Sequence, residues 1–219
     1  MPEPTQSHYF ATPTGTAHRR TVEVTLAGRE VEVVTADGVF SGGRVDLGTR
    51  VLLREAPALP AGPVHLLDLG CGWGPLALTM ALRAPEATVW AVDVNERALD
   101  LTRENAARLR PGPASGPGAV RAVLPDDVPA DVRFDAIWSN PPIRVGKEAL
   151  HALLLRWLAR LTPDGAAHLV VQRNLGADSL HAWLADRSPE PGALPFSVTR
   201  AGSAKGYRVL RVARSGIGR

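Results

Sequence analysis

The first fifty residues alternate between apolar and polar positions in two short runs. The run TVEVTL alternates valine and leucine with polar residues, and VEVV repeats the alternation after Ala27-Gly28. A period of two around a glycine turn predicts a β-hairpin. Residues 1–50 are too few for a core of their own. We therefore expect the hairpin and the glycine-rich loop after it to cover the main domain, residues 51–219, as part of the same domain.

From residue 64 the pattern changes to apolar runs that alternate with segments of helical spacing. Continuous runs such as VHLLDLG are typical of strands that are covered on both faces, and ERALDLTRENAARL has the spacing of a helix. The predicted strands are 64–70, 88–95, 119–124, 134–140, 166–172, 196–201 and 207–213, and the predicted helices are 74–84, 96–109, 147–161 and 176–186. This alternation predicts an α/β fold with a doubly wound, mostly parallel sheet and a closing antiparallel pair.

Composition excludes several classes of protein. The 219 residues are 45% apolar, yet no stretch approaches the roughly 20 apolar residues that cross a bilayer. The N-terminus has neither the basic start nor the apolar run of a signal peptide. Cys71 is the one cysteine, so neither a disulfide within the chain nor a cysteine zinc site can form. We expect a cytoplasmic protein without a metal, whose net charge of +3 permits nucleic-acid binding.

Glycines follow the first of the alternating strands directly, in DLGCGWG, which opens a helix. Ligands of doubly wound sheets bind at the carboxyl ends of the strands near this point, and glycines let the backbone approach them. Pro75 stands where a dinucleotide fingerprint has Gly or Ala. Asp68 would repel a pyrophosphate, but it suits a ligand with an ammonium or sulfonium group. The alternative is a plain glycine turn.

Carboxylates follow the next two strands. Asp93 ends the second and can accept two hydrogen bonds from a ribose diol. As an alternative it caps the following helix, although Asn95 is the better candidate for that cap. Asp126 or Asp127, after the third strand, could accept a bond from an adenine amino group or lie in a solvated turn.

Asn140-Pro141-Pro142 ends the fourth strand, beside the predicted pocket. The amide oxygen of Asn140 and the backbone carbonyl of Pro141 can together accept both hydrogens of an –NH2 group. A conjugated amine is a poor nucleophile because its lone pair is delocalised into the ring. Two acceptors expose that lone pair and stabilise the positive charge that develops, and the prolines keep the geometry stiff. The alternative is a turn without chemistry.

These segments, with GVFSGGRVDLGTRVLL, AVDVN, SNPPIRVGKEALH, KGYRVL and His8-Tyr9-Phe10, resemble class I S-adenosylmethionine-dependent methyltransferases. More narrowly, they resemble the small-domain enzymes related to bacterial ribosomal RNA guanine-N2 methyltransferases. The resemblance implies a seven-stranded Rossmann-like sheet with an N-terminal hairpin, S-adenosylmethionine as cofactor, and Asn140, Pro141 and Pro142 as catalytic residues. The implied cofactor contacts are Asp46, Thr49, Asp68, Gly70, Cys71, Gly72, Asp93, Val94, Asp126 and Asn140.

We expect contacts with the substrate from three residues that follow the prolines, namely Ile143, Arg144 and Lys147. Ile143 stands where the resembled enzymes have an aromatic ring that stacks on the target base, a contact worth roughly 1–3 kcal/mol. Arg144 and Lys147 could meet phosphates, or they could lie on a solvated face at the first turn of the following helix. The sequence thus predicts methylation of an exocyclic amine, and the resemblance implies that this amine is guanine N2 in ribosomal RNA. The alternatives are a small-molecule or protein N-methyltransferase on the same scaffold, or a non-catalytic RNA-binding protein that retains the fold.

Overall fold

A β-hairpin followed by alternating strands and helices is seen in the computed structural model, which describes residues 18–39, 44–109, 118–189, 191–192 and 195–215. The residues 8–10 and 40–43 that the sequence analysis singled out lie outside these ranges. In chain order the elements are β1 (Arg19–Leu26), β2 (Arg29–Ala36), α1 (Leu47–Glu55), β3 (His65–Leu69), α2 (Pro75–Arg83), β4 (Thr88–Val92), α3 (Glu96–Leu109), β5 (Val120–Val123), β6 (Phe134–Ser139), α4 (Lys147–Leu158), β7 (Leu161–Gln172), α5 (Ala177–Ala185), β8 (Ser197–Ala204) and β9 (Tyr207–Ala213).

Within the described ranges the main sheet has seven strands, in the order β5-β4-β3-β6-β7-β9-β8. The strands from β5 to β7 are parallel, and β9 pairs antiparallel with both β7 and β8. The predicted fold class is confirmed. The chain winds outward from β3 to β5 and then returns to β6 on the other side of β3. Such a reversal opens a crevice at the carboxyl ends of the strands, where ligands bind in doubly wound sheets.

Both faces of the sheet are covered, which explains why its central strands carry apolar residues on both faces. Neighbouring residues of β3 belong to different apolar clusters. Leu66 packs in the cluster that contains Leu52 of α1 and Leu76 of α2. Leu67 packs in the cluster that contains Leu154 and Trp157 of α4. The two clusters hold the ends of β3, β4 and β6 in fixed register, and the loops that follow these strands start from a rigid base.

The hairpin is fastened to the helices of the main domain by one buried amide. Asn105 of α3 accepts from Val34 N at 2.7 Å, and its Nδ2 donates to Val34 O and Trp73 O. Leu26 and Val33 of the hairpin complete an apolar cluster with α2 and α3. The hairpin thus packs directly against the main domain. The division of the chain at residue 50 stays a prediction, and residue 50 itself lies within α1.

The predicted helix 147–161 ends earlier in the structure, and the residues that follow it belong to a strand. Helix α4 ends at Leu158, before the predicted residue 161, and residues 162–165 lie inside β7. They bulge from the sheet, because the pairing with β6 shifts between Phe134 and Ala136. A Cβ on Gly165 would come within 2.7 Å of Phe134 O, so glycine permits this close approach. Pro163-Asp164-Gly165 therefore lies in a bulge of the strand.

Within the described residues, no helix combines the length and the apolar character that are required to cross a membrane.

Candidate functional site

A cleft of about 580 Å³ lies at the carboxyl ends of β3, β4 and β6, at the reversal of the winding. A recess of about 20 Å³ adjoins it and shares Asp46, Gly70, Gly72 and Asn140 with its lining. Asp68 also lines the recess. A volume of this size accommodates roughly one water-sized group. The cleft can therefore hold a nucleoside-sized ligand whose small polar group reaches toward Asp68.

The glycine loop between β3 and α2 lies against the end of β4. Gly70 N and Cys71 N both donate to Val92 O, at 2.8 and 3.0 Å. Gly72 and Gly74 have φ of 56° and 95°, a region that glycine adopts without strain. At Gly74 a Cβ would also meet Thr102 Cγ2 at 3.0 Å. Gly70 and Gly72 thus present backbone without side chains to the cleft.

Asp68 is a fully buried carboxylate with one unsatisfied oxygen. Its Oδ2 accepts from Ala77 N at 2.8 Å, in the first turn of α2, whereas Oδ1 has no partner among the described residues. Burial raises the pKa of Asp68 to about 8, and the charge of Asp93 adds to the rise. A buried carboxylate without a partner is costly. A cationic group in the recess would lower that cost, so the residues present fit a ligand with an ammonium or sulfonium group.

We expect Asp68 to make the ligand-free protein less stable as pH rises. Its folded-state pKa of about 8 exceeds the ordinary 3.8, so the folded state holds a proton that the unfolded state releases between these values. Its stabilising contribution is therefore complete below pH 3.8 and is lost as pH rises through about 8. Urea unfolding from pH 5 to pH 8.5 should show a steeper decline for the wild type than for Asp68→Asn. Parallel curves would contradict this assignment.

Asp93 bridges two loops at the end of β4. Its Oδ2 accepts from Gly72 N at 2.9 Å and its Oδ1 from Asn95 N at 3.0 Å. Burial raises the pKa of Asp93, and the backbone bonds oppose the rise. Asn95 Oδ1 accepts from Arg97 N at 3.0 Å, so Asn95 caps α3, as the sequence favoured. Asp93 lines the cleft and is free of that capping role.

The loop after β6 is an inverse γ-turn centred on Pro142, with φ −75° and ψ 78°. Ile143 N donates to Pro141 O at 2.8 Å, which closes the turn. A carbonyl oxygen has two lone pairs, so Pro141 O keeps one for a ligand. Asn140 Nδ2 donates to Asp46 Oδ2 at 2.9 Å and to Thr49 Oγ1 at 3.2 Å. Among the described residues no group donates to the amide oxygen of Asn140, which is therefore open to a further partner.

The structure gathers most of the predicted site residues and leaves two outside. Val94, Ile143 and Arg144 line the cleft. Lys147, exposed at the start of α4, does not line it. The Asp126 carboxylate is paired with Arg156 at 2.7 Å and is largely exposed, and the cleft is lined there by Pro125 instead. The contacts of Asp126 with adenine and of Lys147 with phosphate stay predictions.

Cys71 lies in the recess, where burial raises the pKa of its thiol well above the ordinary value. A thiol with a raised pKa is not an active nucleophile. Across the part of the chain that the structure describes, no group of three or more His, Cys, Asp or Glu side chains is placed to hold a metal ion.

Tyr207 was missed as a site residue. It begins β9, pairs with Gln172 at the carboxyl end of β7, and is the one aromatic residue among the described residues that line the cleft. Its Cε1 would lie 2.9 Å from a Cβ placed on Gly48. The signal was present in KGYRVL, because Lys205 and Gly206 both have positive φ and form a tight hairpin turn. Such a turn returns Tyr207 to the edge of the sheet where the cleft opens.

The chain is similar to known proteins in sequence and in structure. The family model of the methyltransferase small domain matches residues 30–187. The chain is 31% identical to the uncharacterized protein YbxB of Bacillus subtilis, over 93% of this chain and 96% of that protein. It is 33% identical to the ribosomal RNA small subunit methyltransferase C of Pseudomonas entomophila, over 88% of this chain and 54% of that protein. The chain thus spans about half the length of this second relative.

Among solved structures, the chain is similar to a T. thermophilus 16S rRNA N2 methyltransferase in complex with AdoMet and guanosine. The TM-score is 0.70 at 23% identity, and the match covers 94% of this chain and 53% of that one. At this identity the likeness establishes the fold. The match of the family model over most of the chain, together with the relative from B. subtilis, establishes more: the chain belongs to the methyltransferase small domain family.

Proposed function

We propose that this protein is an S-adenosylmethionine-dependent N-methyltransferase that modifies the N2 amino group of a guanine in ribosomal RNA. The observation that carries the proposal is the pair of oxygens at the cleft, Asn140 Oδ1 and Pro141 O, on a turn stiffened by two prolines. Their position after β6, next to the glycine loop, suits an amine held against a methyl donor. Membership of a methyltransferase family supports the same conclusion.

The cofactor is S-adenosylmethionine, and the chain offers it matching groups. Asp68 would hold the ammonium group, because its orphaned Oδ1 lies at the recess. Gly70 and Gly72 let the backbone approach the methionine part, and Asp93 would accept from the ribose hydroxyls. When bound, the cofactor supplies a methyl group on a sulfonium sulfur, which keeps the electron pair of the broken carbon–sulfur bond. The protein's part is to hold this group opposite Asn140.

Asn140 and Pro141 prepare the amine. Their two oxygens accept hydrogen bonds from the two N–H groups of the amine. These bonds draw the nitrogen toward tetrahedral geometry and free its lone pair to form the new nitrogen–carbon bond. The positive charge that develops on nitrogen is stabilised by both oxygens. The methylated nitrogen then releases one proton to solvent. Orientation of the two reactants supplies much of the rate in such transfers.

Ribosomal RNA is favoured as substrate by the relatives. The P. entomophila relative is named a ribosomal RNA small subunit methyltransferase, and the T. thermophilus structure holds guanosine. Arg144 at the mouth of the cleft is exposed and suits a phosphate. A ribosomal substrate places the enzyme in the cytoplasm.

A second candidate is an N-methyltransferase for a small molecule or a protein, which Ile143 favours because it cannot stack on a base as an aromatic ring does. One experiment separates the two. The purified protein is incubated with methyl-labelled S-adenosylmethionine and with unmodified small ribosomal subunits, free nucleosides or peptides. We expect label in the RNA, recovered as N2-methylguanine. Label in the peptides or nucleosides alone would overturn the ribosomal assignment.

Tyr207→Leu is expected to lower kcat/KM for the RNA by about ten- to a hundredfold, if its ring supplies the stacking that Ile143 lacks. The side chain is half-buried at the cleft, and burial together with the charge of Asp46 raises the pKa of its hydroxyl. Tyr207→Phe keeps the ring and should retain the larger share of kcat/KM. Steady-state kinetics on small subunits measures both variants. Equal losses in the two would mean that the hydroxyl matters and not the ring.

A further inference from the structure

We propose that Asp46 and Thr49, at the N-terminus of α1, are positioning residues that fix which end of the Asn140 amide faces the cleft. The inference rests on the proposed function, in which Asn140 Oδ1 accepts a hydrogen of the target amine. It assigns to α1 a role in the chemistry that is separate from any contact with the cofactor.

The hydrogen bonds at Asp46 decide the orientation of the amide. Asp46 Oδ2 accepts from Gly48 N at 2.8 Å and Thr49 N at 3.2 Å, which caps α1, and it also faces Asn140 Nδ2 at 2.9 Å. An ionised carboxylate has no hydrogen to donate. The atom of Asn140 that faces it must therefore be the nitrogen. Thr49 Oγ1 accepts from the same nitrogen at 3.2 Å.

Close packing at Gly48 keeps this arrangement in place. A Cβ on Gly48 would lie 2.9 Å from Tyr207 Cε1, 3.0 Å from Asp46 Oδ2 and 3.3 Å from Asn140 Nδ2. The start of α1 thus fits against both the amide and the ring with no room for a methyl group. Gly48 and Thr49 are also buried. The start of α1 is therefore closely packed against the loop after β6, although Asp46 and Asn140 are 94 positions apart in the sequence.

The orientation matters because the two ends of an amide have opposite character. With nitrogen toward Asp46, the oxygen is available to accept a hydrogen from the target amine. A flipped amide would set its own N–H groups against those of the target, donor against donor. Without Asp46 and Thr49 the two orientations become similar in free energy, and the productive one is less populated. The expected loss is in kcat.

Asp46→Ser and Asp46→Asn form a matched pair. Both are good helix caps, so both preserve the start of α1. Asparagine can place its oxygen where Oδ2 lies and keep the bond to Asn140, whereas serine is too short to reach. At saturating cofactor we expect Asp46→Ser to lower kcat about ten- to a hundredfold. The kcat of Asp46→Asn should be at least about tenfold higher than that of Asp46→Ser. Thr49→Val keeps the shape of the side chain but loses Oγ1, so its kcat should be lower than that of Thr49→Ser.

A second measurement needs no substrate. In protein labelled with 15N on asparagine, the side-chain NH2 group of Asn140 is assigned by its absence in Asn140→Ala. Its hydrogens should exchange more slowly than those of Asn174, which is exposed. Asp46→Ser should remove that protection, whereas Asp46→Asn should keep it. Arg50→Ala, at an exposed position of the same helix, controls for general loosening of α1.

The outcomes separate this inference from the proposed function. Loss of both protection and kcat in Asp46→Ser, with melting temperature like that of Asp46→Asn, is the expected result. If Asp46→Ser retains protection and turnover while Asn140→Ala loses turnover, Asp46 is only a helix cap and the inference is overturned. If Asn140→Ala itself keeps turnover on small subunits, the proposed function fails and the inference fails with it.

Discussion

Asn140→Ala is expected to lower kcat by about 10²–10³-fold, because it removes one of the two preorganised acceptors proposed for the target amine. The affinity for S-adenosylmethionine should stay within a few-fold, since Asp68, Gly72 and Asp93 are untouched. Transfer to small subunits measures kcat, and isothermal titration calorimetry measures cofactor affinity. The contrast between the two is the signature of a group that acts on the amine.

The control for this variant is Asn174→Ala, which removes an exposed asparagine that does not line the cleft. It should behave as the wild type in both assays. Parallel losses of turnover and cofactor affinity in Asn140→Ala would mean that the loop after β6 is structural, and that the amine is held elsewhere.

Asp93→Ala should have the largest effect on cofactor binding, a loss of about a hundredfold in affinity. The substitution removes the acceptors proposed for the ribose, and hydrogen bonds to a charged group contribute about 1.5–3 kcal/mol each. It also removes the anchors of Gly72 N and Asn95 N, at 2.9 and 3.0 Å. The glycine loop would then lose one of its fixed points along the cleft. Calorimetry with S-adenosylmethionine measures the loss.

Asp100→Ala is the matched control, because Asp100 is an exposed carboxylate of α3 that is paired with Arg103. Its affinity for the cofactor should equal that of the wild type. If Asp93→Ala binds within about threefold of the wild type, then Asp93 anchors the loops without contacting the ribose.

The sheet was accessible from the sequence because its signals are local. Continuous apolar runs in β3 and β4, and the helical spacing of α3, fix the element types and the alternation between them. Parallel strands joined by helices then bring their carboxyl ends to one edge, which places Asp93 and Asn140 at the same cleft. Asn95 as the cap of α3 was also predictable, since capping depends on neighbouring residues.

Contacts between distant segments and the directions of side chains could not be predicted from the sequence. Asp46 and Asn140 meet across 94 residues, and only the packing of α1 beside β7 and β9 brings them together. Asp126 follows β5 as predicted, but its carboxylate pairs with Arg156 of α4 and does not line the cleft. The turn before Tyr207 has a local signal in KGYRVL, but the register of β9 against β7, which brings Tyr207 to the cleft, has none. The end of α4 was misplaced because Gly165 permits a bulge that resembles a turn in sequence.

The central claim is that this protein methylates an amino group of ribosomal RNA. Mass spectrometry of small-subunit RNA from a strain that lacks the gene tests it most directly. The account predicts that one N2-methylguanine of the parent strain is present there without its methyl group. The methyl group should return with the wild-type gene and not with Asn140→Ala. Ribosomal RNA identical in the two strains would contradict the account and favour a small-molecule or protein substrate.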